Sequence, residues 1–153
     1  MINTKPHHLV DIITQYGAGT PFEPHPYGHA VHTVAKAVLD NIDVEIKIEL
    51  GADDICAPCI HNINGLCDDT IDNSDRPLAP KSKREWNLLI DKRWSRYLGI
   101  KQGDALTVRE FCDHIERSLD EMPDIYREET PEKTARRRSN LEKGLARIKQ
   151  KEK

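Results

Sequence analysis

DVEIKIELGADDICAPCIHNINGLC, residues 43–67, joins a predicted strand to a cluster of cysteines. Apolar and charged residues alternate strictly from Val44 to Leu50. A period of two predicts a strand with one buried face, although the sequence does not identify the strand's partner. Helical patterns flank this strand on both sides. We therefore expect a mostly helical α+β domain with one small sheet and a cysteine-bearing loop over residues 51–80.

The residues before the strand predict two helices. The first carries apolar residues at helical spacing, with Pro6 in its first turn and Gly17 as its C-terminal cap. A loop rich in glycine and proline follows. The second helix runs from about His29 to Asn41 and has one apolar face.

Two further helices follow the cysteine loop. The segments beginning at Ser82 and Thr107 have the Ser/Thr-x-x-Glu pattern of a capping box. Gly99 is expected to end the first of these helices, and Pro123 the second. Cys112 lies on the apolar face of the second helix, where cysteine commonly packs as a small hydrophobic residue.

The C-terminal segment predicts a charged helix, with Thr130 as cap and Pro131 at its first position. We therefore divide the chain into a globular metal-binding domain at residues 1–128 and a protruding helical extension at residues 129–153. The extension has few apolar residues, so it lies on the domain, docks on a second subunit as a homodimer contact, or frays.

Composition limits the classes of function. The 153 residues carry a net charge of −3 and 5% aromatic residues, so nucleic acid is not an expected partner. Neither a membrane-spanning run nor a signal peptide is apparent, so we expect no membrane partner and a cytoplasmic location. The balance is −9 over residues 40–75 and +6 over residues 132–153. Either both regions are solvated surfaces, or the basic region is a docking tail, or the two regions contact each other.

Three cysteines carry the strongest chemical signal. Cys56 and Cys59 form a C-x2-C pair, and Cys67 follows after seven residues. In a reducing compartment such a cluster favours metal over a disulfide. Thiolates select zinc or iron–sulphur clusters over hard cations. A loop as long as residues 51–80 also needs something to hold it in place.

The fourth ligand is left open by the sequence. The candidates are Cys112, His61, His7, His8 and Asp11, or an open position that would make the site catalytic. His8 and Asp11 are three residues apart, so they share a helix face, and a carboxylate can orient an imidazole. The alternative is a solvated histidine pair.

Other polar clusters have weaker signals. His25, His29 and His32 lie close together in sequence and either bind metal or are solvated. Residues 68–75 are acidic but lack the glycine and glutamate of a calcium loop, which indicates a surface loop.

The segments KPHHLVDIITQYGAG and IKIELGADDICAPCIHNINGLC together resemble the prokaryotic family called domain of unknown function 1284. The similarity covers roughly residues 5–122 and includes Asp91 and the LGIKQGD turn. The family is described as predicted to bind iron–sulphur clusters. The resemblance implies roles for His7 and His8 and supports the three cysteines as ligands. Where the family commonly has a further cysteine, this chain has Asp11, and the cysteine-rich tail of longer members is absent.

We therefore expect a metal-binding protein with Cys56, Cys59, Cys67 and Cys112 as ligands and an iron–sulphur cluster as cofactor. His7 and His8 are the candidate catalytic residues, acting on a small-molecule substrate. The alternative is a structural Zn²⁺ module that docks a protein partner through its basic C-terminal helix.

Overall fold

The computed structural model describes residues 1–151. Five strands occur in this part of the chain: β1 (Ile2–Thr4), β2 (Glu45–Ile48), β3 (Asn62–Ile63), β4 (Leu66–Cys67) and β5 (Ala105–Thr107). The helices are α1 (Pro6–Ala18), α2 (Val31–Asp40), α3 (Lys83–Leu98), α4 (Val108–Glu116), α5 (Met122–Ile125) and α6 (Pro131–Lys151). A 3₁₀ turn at Leu119–Glu121 precedes α5. The predicted mostly helical α+β fold is confirmed.

The main sheet has three strands in the order β1-β2-β5. β1 runs parallel to the central strand β2, and β5 runs antiparallel to it. Ile46 and Ile48 are fully buried, while Glu45 and Lys47 are exposed, as the alternation predicts. The strands that pair with β2, which the sequence did not identify, are therefore β1 and β5. Each has three residues, and they come from opposite ends of the domain.

Helix α1 runs two residues further than the predicted cap at Gly17 allows. It continues to Ala18 and ends at Gly19, whose φ of 74° is the left-handed conformation typical of a C-terminal cap. The predicted cap at Gly17 is wrong because Gly17 lies inside the helix. There a Cβ would come 1.8 Å from the carbonyl oxygen of Asn140 on α6.

Helix α6 lies along α1, so the expectation of a protruding helix is wrong. Leu141, Leu145 and Ile148 are at most 3% exposed. Gly144 faces α1 so closely that a Cβ would lie 2.0 Å from the carbonyl oxygen of Ile13. The predicted boundary between domain and extension at residue 128 marks the change in charge. Helix α6 lies after this boundary but packs on α1, which lies before it.

The caps of α3 and α4 follow the sequence more closely. Ser82 accepts the backbone N–H of Glu85 at 3.2 Å, and Gly99 ends α3 with a φ of 71°. Thr107 and Glu110 form a complete capping box on α4. The prediction that Pro123 stops this helix is wrong. Helix α4 ends earlier, and Pro123 lies in the first turn of α5.

The basic residues of α6 pair with acidic groups of the domain. Lys133 Nζ lies 3.2 Å from an oxygen of Asp75 and so joins the basic helix to the acidic region. Arg138 pairs with Asp120 at 2.9 Å. None of the helices within residues 1–151 has the length and apolar character needed to cross a membrane.

Candidate metal centre

Two aspartate–histidine pairs lie side by side at the start of α1. Asp91 on α3 accepts the backbone N–H of His7 at 2.7 Å, and its other oxygen lies 2.8 Å from His7 Nδ1. An oxygen of Asp53 lies 2.7 Å from His8 Nδ1. The two imidazole ring centroids are 4.3 Å apart. The first N–H groups of a helix lack intrahelical acceptors, so Asp91 both caps α1 and orients a ring.

Asp53 joins the start of α1 to the cysteine loop. Its carboxylate accepts the backbone N–H groups of Lys5 at 2.7 Å and Cys56 at 3.0 Å, in addition to bonding His8. It is only 3% exposed. Burial acts to raise the pKa of Asp53, but the charge of His8 and these hydrogen bonds outweigh burial and lower the pKa well below its usual range. The carboxylate therefore stays ionised and fixes the cysteine loop against α1.

The opposite ring nitrogens belong to two residues that line the cavity described below. Nε2 of His7 and Nε2 of His8 accept or donate no hydrogen bond within residues 1–151, while both rings line the cavity. A carboxylate on Nδ1 places the proton on that nitrogen and leaves the Nε2 lone pair available. Each imidazole is thus prepared to bind a metal or accept a proton.

The cysteine loop is more ordered than the sequence suggested. Backbone turns link Asp53 to Ala57 and Cys56 to Cys59. Strands β3 and β4 then form a hairpin whose two turn residues, Asn64 and Gly65, have φ values of 54° and 84°. Positive φ at both positions is the I′ turn that Asn-Gly favours. The hairpin returns Cys67 towards the C-x2-C pair, so the expectation of an irregular segment over residues 51–80 is wrong at this point.

One cavity of about 520 Å³ brings most of the predicted site together. Its wall includes the three cysteines of the loop and both histidines of α1: Cys56, Cys59, Cys67, His7 and His8. Asp11 and His29 also line it. No disulfide joins cysteines within the described part of the chain. The cavity therefore combines sulphur and nitrogen donors in one place.

The tightest group of potential ligands is His8, Asp53 and Cys56. One donor atom from each lies within 4.8 Å of the others, the one such trio of histidine, cysteine and acidic residues within residues 1–151. Asp53 already accepts three hydrogen bonds, so it is better suited to orienting His8 than to binding an ion. Burial and the charge of Asp53 raise the pKa of Cys56 to about 12. A metal at Cys56 must therefore displace a proton.

The structure does not bring every predicted residue to this cavity. Cys112 is 7% exposed within the hydrophobic core and is not among the residues that line the cavity. His61 lies outside the cavity wall and bonds Asp68 at 2.7 Å. The predicted pairing of His8 with Asp11 is wrong, since Asp11 contacts Arg137 at 3.3 Å instead.

His25 and His29 form an aromatic pair apart from His7 and His8. His25 stacks on His29 with 4.4 Å between ring centroids. Nδ1 of His29 and Nδ1 of His32 are buried without a hydrogen-bond partner in the described residues. Burial and the nearby charge of His25 lower the pKa of His29. These rings border the cavity only through His29.

Sequence reasoning from the residues alone missed the two orienting carboxylates. Asp91 was noted only through the family resemblance, and Asp53 only as part of the segment IKIELGADDICAPCIHNINGLC. One signal was present for Asp91. It shares the buried face of α3 with Trp94 and Ile90, and an acidic residue on an apolar face needs a partner.

Comparison of the chain with protein-family models, with curated proteins and with solved structures finds no match to any of them. The resemblance to domain of unknown function 1284 therefore stays a prediction.

Proposed function

We propose that this protein binds an iron–sulphur cluster through Cys56, Cys59 and Cys67, with Nε2 of His8 as the fourth ligand. One observation carries the proposal: the three thiols and the carboxylate-oriented imidazole line the same cavity. Thiolates are the usual cluster ligands, and histidine replaces cysteine in some clusters. His8 replaces Cys112 as the fourth ligand because Cys112 belongs to the core of α4.

The spacing of the donors favours a cluster over a single zinc ion. Thiolates on one tetrahedral zinc ion lie about 3.8 Å apart, given Zn–S bonds of about 2.3 Å. The three thiols are not a group within 4.8 Å of one another, although Cys56 and His8 belong to one. A cluster presents a separate iron to each ligand and accepts this wider arrangement.

The imidazole of His7 is not one of the four proposed ligands, so it is available for another role in the site. Its ring lies beside His8 and lines the cavity, while Asp91 holds Nδ1. A bound cluster would supply electron transfer. His7 Nε2 is then placed to accept or donate a proton at a molecule bound in the cavity. We therefore keep His7 as the candidate catalytic residue.

The packing of α6 weakens the alternative of a zinc module that docks through a basic arm. Its basic residues are partly engaged within the domain, through Arg137 with Asp11 and Lys133 with Asp75. A docking arm requires such charges to face a partner instead.

Anaerobic purification with iron, sulphide and zinc analysis tests the proposal. We expect a brown protein with iron and sulphide in equal amounts and broad absorption near 400 nm, as is usual for thiolate-ligated clusters. Colourless protein with one zinc ion per chain would overturn the cluster and favour the structural alternative.

Matched substitutions test the ligand set. Cys56→Ser, Cys59→Ser and Cys67→Ser are expected to lose the cluster, while Cys112→Ser keeps full iron content. His8→Ala is expected to yield a cluster with altered electron paramagnetic resonance, and His7→Ala one with an unchanged spectrum. Circular dichroism of each variant separates ligand loss from unfolding. Full iron content in Cys67→Ser, or lost iron in a folded Cys112→Ser, would contradict this ligand set.

A further inference from the structure

The wall of the cavity carries an excess of positive charge. Five basic residues line it: Lys5, Arg76, Lys83, Arg84 and Arg137. They face two lining carboxylates, Asp11 and Glu129, which gives a balance of +3 with the histidines neutral. Asp53, Asp91 and Asp69 contact lining residues from behind the wall, so the positive charge is concentrated at the basic side chains. Such a focused field concentrates anions.

Lys5 is the least expected of these cations. It is 7% exposed, and its backbone N–H is held by Asp53. Its ammonium group forms no hydrogen bond or ion pair with any group in residues 1–151, although the residue lines the cavity. Because the ammonium has no protein acceptor in the described residues, an anion bound in the cavity can supply one.

Arg76 and Arg137 share a buried anchor. Glu129 is 7% exposed and accepts hydrogen bonds from Arg76 Nη1 at 2.8 Å and from Arg137 Nη2 at 3.2 Å. The guanidinium of Arg76 lies over Trp86, and that of Arg137 lies over Tyr126. Both cations are therefore fixed before any ligand binds, which lowers the entropic cost of binding.

Donor capacity remains on both guanidinium groups. Arg76 bonds Glu129 only through Nη1, and the Nε atoms of Arg76 and Arg137 are buried with no acceptor in the described residues. Elsewhere in the chain, Arg109 uses the Nε and Nη2 edge to bind both oxygens of Asp43. In Arg76 the Nε end of that edge is buried, so Nη2, which makes no hydrogen bond in the described residues, is the donor that an oxyanion in the cavity can reach.

We propose that this cavity binds a small organic anion whose carboxylate or phosphate group contacts Lys5 and the pair Arg76 and Arg137. The volume of about 520 Å³ is typical of a small-molecule site. Apolar side chains such as Ile55, Ile90 and Trp86 line the remainder and contact the body of the molecule. None of the three basic residues is a proposed metal ligand, so anion binding does not depend on the metal.

Isothermal titration of the full chain as purified tests this proposal. The probes are inorganic phosphate and malonate at constant ionic strength, with sodium chloride as the blank. We expect saturable binding of at least one probe, and the order of affinities identifies the preferred oxyanion. Lys5→Met and Arg76→Gln are each expected to weaken binding by roughly tenfold.

Two matched controls carry the same charge changes outside the cavity. Lys36 pairs with Asp40 on the exposed face of α2, and Arg109 pairs with Asp43. Lys36→Met and Arg109→Gln are expected to change affinity by less than about twofold, because salt screens exposed charges. Equal losses in the controls and the cavity variants would overturn the proposal.

Arg84→Gln, at the exposed edge of the cavity, tests the anion site if Arg76→Gln does not fold. Arg84 lines the cavity, is exposed and has no ion pair within residues 1–151. Arg84→Gln should therefore fold normally and weaken binding by roughly threefold. Heats no larger than those of sodium chloride, or native affinity in folded Lys5→Met and Arg84→Gln, would refute the anion site. Neither result would alter the metal analysis, so the two proposals fail separately.

Discussion

His7 and Asp91 are joined by two hydrogen bonds, although 84 positions separate them in the chain. One fixes the backbone at the start of α1, and the other fixes the imidazole at Nδ1. Burial lowers the pKa of His7, but the charge of Asp91 and its hydrogen bond outweigh burial and raise it above the ordinary value. Helix α3 therefore sets both the position and the protonation of this ring.

Asp91→Asn should separate these two roles. The amide oxygen can still accept the His7 N–H, but the amide nitrogen then faces Nδ1 and requires Nδ1 as the acceptor. The neutral ring must move its proton to Nε2, which ¹⁵N nuclear magnetic resonance of the imidazole detects. We expect the free energy of unfolding to fall by about 1–3 kcal/mol in urea.

Asp43→Asn is the control for the loss of an aspartate charge. Asp43 is exposed and pairs with Arg109 at 2.9 Å. Its effect should stay below about 1 kcal/mol, as is usual for exposed ion pairs. An Asp91→Asn protein with native stability and Nδ1 still protonated would show that Asp91 does not position the ring.

Asp53→Ala tests the junction between α1 and the cysteine loop. The substitution leaves the buried N–H groups of Lys5 and Cys56 without an acceptor and releases His8 Nδ1. We expect a loss of about 3 kcal/mol in the free energy of unfolding. Metal affinity should fall by roughly 10- to 100-fold, measured by competition with a chelator, because the orienting carboxylate is gone.

Asp54→Asn provides the matched control for that experiment. Asp54 is the neighbouring acid and accepts the Asn3 N–H at 2.9 Å, but it bonds neither His8 nor Cys56. An asparagine oxygen retains this hydrogen bond, so metal affinity should be unchanged. If both substitutions reduce metal affinity equally, negative charge rather than orientation is the cause.

Local patterns predicted the parts of the fold that depend on neighbouring residues. The alternation around Ile46, the capping pairs at Ser82 and Thr107, and the helical positions of Leu141 and Ile148 were all visible in the sequence. β1 and β5 were not, because three residues are too short to display a period. Their pairing with β2 is decided by the tertiary fold.

The potential ligands of the candidate site were visible in the sequence, but the carboxylates that orient the two histidines were not. Cys56, Cys59, Cys67, His7 and His8 are chemically conspicuous and lie within two short segments. Their supports come from Asp53 and Asp91, which lie 45 and 84 positions from the histidines that they hold. Contacts at such separation follow from how α1, α3 and the loop pack, which no local motif encodes.

Gly144→Ala tests the close crossing of α6 over α1. The new Cβ would lie 2.0 Å from the carbonyl oxygen of Ile13, so the helices must separate. We expect the free energy of unfolding to fall by about 3 kcal/mol, even though alanine has the higher helix propensity. Ser139→Ala, on the exposed face of α6, should change it by less than about 0.5 kcal/mol. Stable Gly144→Ala protein would contradict the packing of α6 on the domain.

Glu128→Gln tests the link that holds the start of α6 against α3. Both oxygens of Glu128 accept hydrogen bonds from Arg93, at 2.6 and 2.8 Å, and the same arginine bonds the carbonyl oxygen of Ile125 at 2.9 Å. The neighbouring residue Glu129 anchors the arginine pair of the cavity. At pH 7 the substitution should lower the free energy of unfolding by about 1–2 kcal/mol, because it replaces a shielded bidentate ion pair.

The effect of Glu128→Gln should depend on pH in one direction. The hydrogen bonds from Arg93 lower the pKa of Glu128 below its ordinary 4.5. The ion pair therefore contributes its full stabilisation well above pH 4.5 and loses it as pH falls through the lower pKa of the folded state. Urea unfolding at pH 7, 5, 4 and 3 should show the native protein and Glu128→Gln converging in stability. Glu142→Gln removes an exposed partner of Arg138 and should differ little from the native protein at any of these values. A difference for Glu128→Gln that stays constant with pH would show that its charge does not stabilise this junction.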